Sequence, residues 1–198
     1  MQNKLRIILQ KHKIKLPIAL SFIILGILSR TVFHIAPNVE MITVISLLAG
    51  FYLGGIYIIL VPLASLVGSD MIIGNSNIFL FTWSAYILGG ILGLILRLFK
   101  VNKKVVLIGS GAGLVFSVFF YLYSNFGVWL ITPWYDRSLS GLLYCYYMGL
   151  PFLRLNLIGN MIFVPIGFAI AELIKSKAYQ KQSIVLNRKT NRISNTKI

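Results

Sequence analysis

The chain has 198 residues, 58% of them hydrophobic and 12% charged, with a formal net charge of +15. That balance excludes an ordinary soluble domain, in which about a quarter of the residues carry charge. Nor does the positive charge point to nucleic acid, because Lys and Arg cluster beside apolar runs and form no basic face interleaved with base-reading groups.

A basic leader (Lys4, Arg6, Lys11, Lys13, Lys15) precedes an apolar run from Leu16 to Leu28. A secretory signal would end at a small-residue cleavage site, but Arg30 comes next and further apolar runs follow. A retained first helix is therefore expected. Six spans are drawn along the chain, over 16–34, 40–54, 56–73, 78–99, 105–124 and 154–174. A hydrocarbon core of about 30 Å takes roughly 20 helical residues to cross. Backbone groups in lipid must bond within their own element, and the alternating pattern of a membrane barrel is absent, so the spans are expected as helices.

Charge resolves two ambiguities. The uncharged stretch from Met41 to Ser69 is long for one span and short for two, with Gly54-Gly55 near its middle. A hairpin there puts Arg97, Lys100, Lys103 and Lys104 on the inside, as the positive-inside rule prefers. The second ambiguity is the run from Leu139 to Phe152. Counted as a crossing, it would send Lys175, Lys177, Lys181, Arg188, Lys189, Arg192 and Lys197 outside, so it is expected to be a re-entrant or interfacial segment. Sixteen Lys and Arg residues then lie inside and three outside: Arg30, Arg137 and Arg154.

The fold class expected is thus an all-α membrane protein, a bundle of six transmembrane helices with a short re-entrant or interfacial helix before the last span. Residues 1–15 form a basic cytoplasmic N-terminus, 16–174 the transmembrane domain, and 175–198 a basic, disordered cytoplasmic tail. The expected location is the cell membrane, with multiple passes and both termini cytoplasmic.

Polar chemistry gathers on the outer side. Glu40, Asp70 and Asp136 fall there, near the three outside arginines. Asn38, Asn75, Asn77, Asn125, Asn156 and Asn160 add amides, and His34 stands in the first outer loop. Trp83, Trp129 and Trp134 lie in the same half, where a tryptophan also suits an ordinary interfacial belt. Charges within a bundle are costly and mark function unless they neutralise one another, which singles out Arg30 and Asp70. Asn125 and Trp129 are four apart, as are Asn156 and Asn160, so each pair shares a helix face. Those amides serve either helix–helix bonding or a ligand.

The pairs Gly50/Gly54, Gly89/Gly93 and Gly109/Gly113 suit close helix packing. Gly109, Gly111 and Gly113 lack the Lys-Ser/Thr of a phosphate loop. His34, Ser69 and Asp70 can be drawn as a triad, but no Gly-x-Ser-x-Gly elbow or His-Glu-x-x-His motif occurs. Cys145 is a single cysteine in an apolar run. No catalytic residue, metal or cofactor is expected, and the chain is not read as an enzyme.

Four stretches carry a resemblance: APNVEMITVISLLAGFYLG (36–54), VPLASLVGSDMIIG (61–74), SNFGVWL (124–130) and WYDRSLSGLLYCYYMGLPF (134–152). Over roughly 25–170 the chain resembles a family of small, functionally uncharacterised bacterial membrane proteins. In size, span count and outer polar cluster it also resembles the substrate-binding S components of energy-coupling-factor (ECF) vitamin transporters. The second resemblance implies a six-helix bundle that binds a small molecule from outside, gated by the loop from Phe33 to Val39. It also implies a transmembrane coupling subunit and ATPases as partners, docking through small residues such as Ala19, Ser21, Gly26 and Ser29 on the first helix.

The expected function is small-molecule binding for membrane transport, as the substrate-specific component of an ECF-type uptake system. The alternatives are a non-transporting scaffold or assembly partner, and an intramembrane enzyme. The expected substrate site comprises Arg30, Asp70, Asn125, Trp129, Asp136 and Asn160. Arg30 and Asp70 would pair with a polar group, Trp129 would stack, and Asn125 and Asn160 would supply amide hydrogen bonds. The partners expected are a small-molecule ligand on the outer face, the lipid bilayer and the coupling subunits, with no nucleic acid.

Overall fold

A computed structural model describes residues 2–33, 35–75, 77–99 and 104–195, all of whose regular structure is helical. The helices are α1 (Gln2–Thr31), α2 (Ile42–Leu48) with a π-helical continuation (Ala49–Leu53), α3 (Tyr57–Ile73), α4 (Phe79–Leu98), α5 (Val105–Ile131) and α6 (Leu139–Asn195). Four stretches are long and apolar enough to cross a membrane: Lys13–Thr31, Phe79–Leu98, Val105–Ile131 and Leu139–Ala178.

The stretches Ile42–Leu53 and Tyr57–Ile73 are shorter than ordinary spans. Hydrogen bonds show how far the first of them reaches. Met41 N–H donates to Ser29 Oγ at 3.2 Å near the C-terminal end of α1, and the Lys15 ammonium, near the start of its apolar stretch Lys13–Thr31, donates to Leu53 O. Twelve residues thus run antiparallel to α1 from the level of Ser29 to that of Lys15. Every residue of α2 is buried. A helix apolar all round belongs in the middle of a protein, and α2 packs against α1, α3, α4, α5 and α6.

The reversal at Gly54-Gly55 follows from backbone sterics. Their φ values are 65° and 60°, a region that side chains with a Cβ avoid. Elsewhere glycines let helices touch backbone to backbone. A Cβ on Gly93 would stand 2.2 Å from Leu47 O, and one on Gly50 would stand 1.9 Å from Gly90 O. Within lipid, helices gain little by leaving an equally apolar surrounding, so close packing of this kind carries the association. Gly109 and Gly113 of α5 instead make room for the Phe168 and Val164 side chains of α6.

One expected feature is corrected. Residues 139–152 are not a separate re-entrant helix, because α6 runs unbroken from Leu139 to Asn195 through Pro151 and Pro165. The expected stop rested on the shortness of that run and on keeping the basic tail inside, but α5 extends to Ile131 and supplies a partner for the run. Tyr121 Oη donates to Tyr146 O at 2.6 Å, and the Cys145 thiol donates to Asn125 O. Proline inside such a helix is tolerated where neighbouring elements cover the gap. The same helix carries the backbone on through 175–195.

Candidate functional site

Two polar regions occupy the same end of the bundle. The first begins at Arg30, in the last turn of α1, where a cation complements the helix dipole. Its Nε donates to Glu40 Oε2 at 2.9 Å, and Nη1 donates to Asp70 Oδ1 at 2.6 Å and Ser69 Oγ at 2.5 Å. Glu40 stands just before α2, at a helix start that favours an anion. Trp83 Nε1 donates to Asp70 Oδ2 at 2.8 Å, and the buried Tyr86 hydroxyl donates to Glu40 Oε1 at 3.2 Å. All four carboxylate oxygens thus have a donor. The cluster ties α1, α2, α3 and α4 together, with its charged side chains only 9–17% exposed. Charges inside a bundle are found paired in this way.

The second region is built from amides and aromatics. Asn38 is left-handed, with φ 61°, a conformation asparagine tolerates. Its carbonyl accepts Asn156 Nδ2 at 3.0 Å, Asn156 Oδ1 accepts Asn160 Nδ2 at 3.0 Å, and Asn160 Nδ2 also donates to Ser117 Oγ at 2.7 Å. This chain holds the loop before α2 onto α6, and α6 onto α5.

Beside it lies a cleft of about 260 Å³. Asn38, Thr82, Ser124 and Asn125 give it polar groups, and Phe120, Phe152, Trp134 and Tyr135 give it rings. Ile78, Val128 and Met148 complete the wall, with Gly149 opposite Asn125. A smaller recess of about 20 Å³ shares Asn38, Phe120, Ser124, Asn125 and Phe152 with the cleft, and adds Ser117 and Asn156. That is room for about one water, which needs ~10–15 Å³ and two to four polar partners.

The structure distributes the six expected site residues unevenly. Asn125 lines both cleft and recess, with Nδ2 donating to Tyr121 O at 2.8 Å in its own helix. Asn160 is buried one step behind, through Asn156. Arg30 and Asp70 do face each other, but they are consumed by the ion cluster and do not line the cleft. Trp129 donates Nε1 to Asp136 O at 2.9 Å, and the Arg137 guanidinium lies 5.8 Å from its ring centroid. Trp129 and Asp136 therefore fasten the loop between α5 and α6, and neither lines the cleft. His34 lies outside the described residues, and its imagined partners Ser69 and Asp70 are both bonded to Arg30.

Reading by residue type missed Glu40 as the second arm of the cluster and Tyr86 as its buried donor. It also passed over Trp134 and Tyr135, which stand at the cleft where Trp129 was expected. Their place in a short loop carrying Pro133 was the available signal, since binding groups concentrate on loops set by rigid elements. Among the described residues no group of three or more His, Cys, Asp or Glu is placed to hold a metal ion. Cys145 is buried against α5, which suits packing.

The chain belongs to a family of unknown function (DUF6580), whose pattern matches residues 10–184. No curated protein and no solved structure matches it.

Proposed function

We propose that this protein is a multi-pass membrane protein that binds a small molecule from the outer face, in the cleft between the start of α4, the end of α5 and the first turns of α6. All six helical passes lie in the bilayer, and the short α2 and its π-helical continuation are shielded from lipid by the helices around them. Both termini are cytoplasmic. The charge pattern supports this orientation, because Lys15, Arg97, Lys104, Lys175 and Lys177 belong to one end and Glu40, Asp70 and Asp136 to the other.

The observation that carries the binding reading is the cleft itself. It is concave and mostly apolar, with a few convergent polar groups and a volume just below the usual range for small-molecule sites. The loop before α2, which the ECF resemblance implies as a gate, contributes Asn38 to it. The chain supplies no nucleotide-binding motif, so energised uptake requires partner subunits, as in the ECF systems that the sequence resembles. Within that scheme this chain is the substrate-specific subunit.

Native mass spectrometry of the gently purified protein tests the binding reading. A retained small molecule is expected in the unaltered chain and not in Gly149→Leu, whose Cβ would stand 2.5 Å from Asn125 Oδ1 and so displace that cleft-lining side chain. No retained mass, or a mass unaffected by the substitution, would count against the cleft. Co-purification with a pair of ATPases tests the coupling, whereas a stable complex with an unrelated membrane enzyme would favour a scaffold.

A further inference from the structure

The cleft has a chemical bias that narrows its ligand. Among the described residues, none that lines the cleft or the recess is Asp, Glu, Lys, Arg or His. Arg30 is bonded to Glu40 and Asp70, and Asp136, Arg137 and Arg154, the other charges at this end, are not among the residues that line the cleft or the recess. Bringing an ion into such a place without a partner is costly. What the lining does offer is of two kinds. At the mouth stand the rings of Trp134 and Tyr135, with Trp134 73% exposed. Tyr135 stays a neutral phenol, because burial pushes its pKa up. At the floor, shared with the recess, are the Asn38, Ser124 and Asn125 groups, with Ser117 and Asn156 deeper. An asparagine side chain presents both donor and acceptor, which matches an amide-like edge and not a bare charge.

Resting on the proposal that the cleft binds a small molecule, we infer that its ligand is uncharged and planar, an aromatic ring bearing an amide-like hydrogen-bonding edge. The ring lies among Phe120, Phe152, Trp134 and Tyr135. The edge points to Asn125 and the recess, where it displaces the space of about one water.

Four probes of similar size separate charge from shape: benzamide, benzoate, benzamidinium and cyclohexanecarboxamide. Binding is read by saturation-transfer NMR and thermal shift on the full chain in nanodiscs. Benzamide is expected to bind at about millimolar concentration, as its few atoms allow. It should bind at least tenfold more tightly than either ion, and more tightly than the saturated amide. Asn125→Leu should weaken benzamide by about tenfold, the worth of one well-placed hydrogen bond, while leaving the thermal midpoint of the free protein in place. Either ion matching benzamide overturns the inference, and so does the saturated amide matching it. Binding of none of the four overturns the class as well. A retained native molecule that is charged or aliphatic would sink this inference alone, whereas no retained molecule of any kind would sink the cleft reading beneath it.

Discussion

The ion cluster around Arg30 and the amide-lined cleft around Asn125 lie at the same end of the bundle and draw on similar polar residues, yet they differ in what they leave open. In the cluster, a guanidinium, an indole and a phenol together give each of the four oxygens of two carboxylates a donor. In the cleft, amides and hydroxyls border empty volume. The difference teaches that a charge in a membrane bundle is weak evidence of a site until its partners are counted. A saturated group holds helices together, and a group facing space is available to a ligand.

The largest expected effect breaks the cluster. Arg30→Met strands Glu40 and Asp70 in a partly buried setting, where removing one partner of a buried pair costs about 3 to 5 kcal/mol. The thermal midpoint in detergent should fall by roughly 10 °C, at about 2–4 °C per kcal/mol for a chain of this size. The triple variant Arg30→Met, Glu40→Gln, Asp70→Asn should recover much of the loss, because no uncompensated charge is left. If Arg30→Met melts like the unaltered chain, the cluster does not act as a clamp. A smaller effect comes from the amide ladder beside the cleft. Asn160→Leu removes the bonds to Ser117 and Asn156, and should cost about 1 to 2 kcal/mol, the range found for hydrogen bonds between membrane helices. A drop as large as that of Arg30→Met would blur the distinction between ladder and cluster.

The contrast also explains what could be read from the amino acids. Apolar run length marked the long helices, and Gly54-Gly55 marked a reversal, because both are local consequences of hydropathy and φ. The four-residue spacing of Asn156 and Asn160 foretold a shared face, and the two are bonded to each other. Burial was not legible. Nothing in ITVISLL distinguishes a central helix such as α2 from one facing lipid, because both surroundings are apolar. The union of 139–152 with the last helix depended on how far α5 extends, a fact about a different segment. Saturation is likewise a property of three dimensions. Arg30 and Asp70 looked like ligand contacts because their separation in sequence conceals that Glu40, Trp83 and Tyr86 converge on them.

The smallest expected stability change sharpens the comparison most. Asn125 donates its amide only four residues back, to Tyr121 O in the same helix, and no bond from its side chain ties α5 to another element. Replacing it with leucine, nearly the same size, removes a local bond of the kind that competes with helix structure and does not hold helices together. Its cost in thermal stability should therefore stay within about 0.5 kcal/mol, because a leucine of similar size keeps the close contact with Gly149 of α6 and only the local bond is lost. Ligand retention, by contrast, should fall sharply, since Asn125 borders both the cleft and the recess. Arg30→Met inverts that pattern, losing stability without touching the lining. A melting curve and a native mass spectrum taken on both variants would separate clamp from site. If Asn125→Leu instead unfolds the protein as readily as Arg30→Met, then Asn125 is structural too, and the empty volume beside it is a packing gap and not a site.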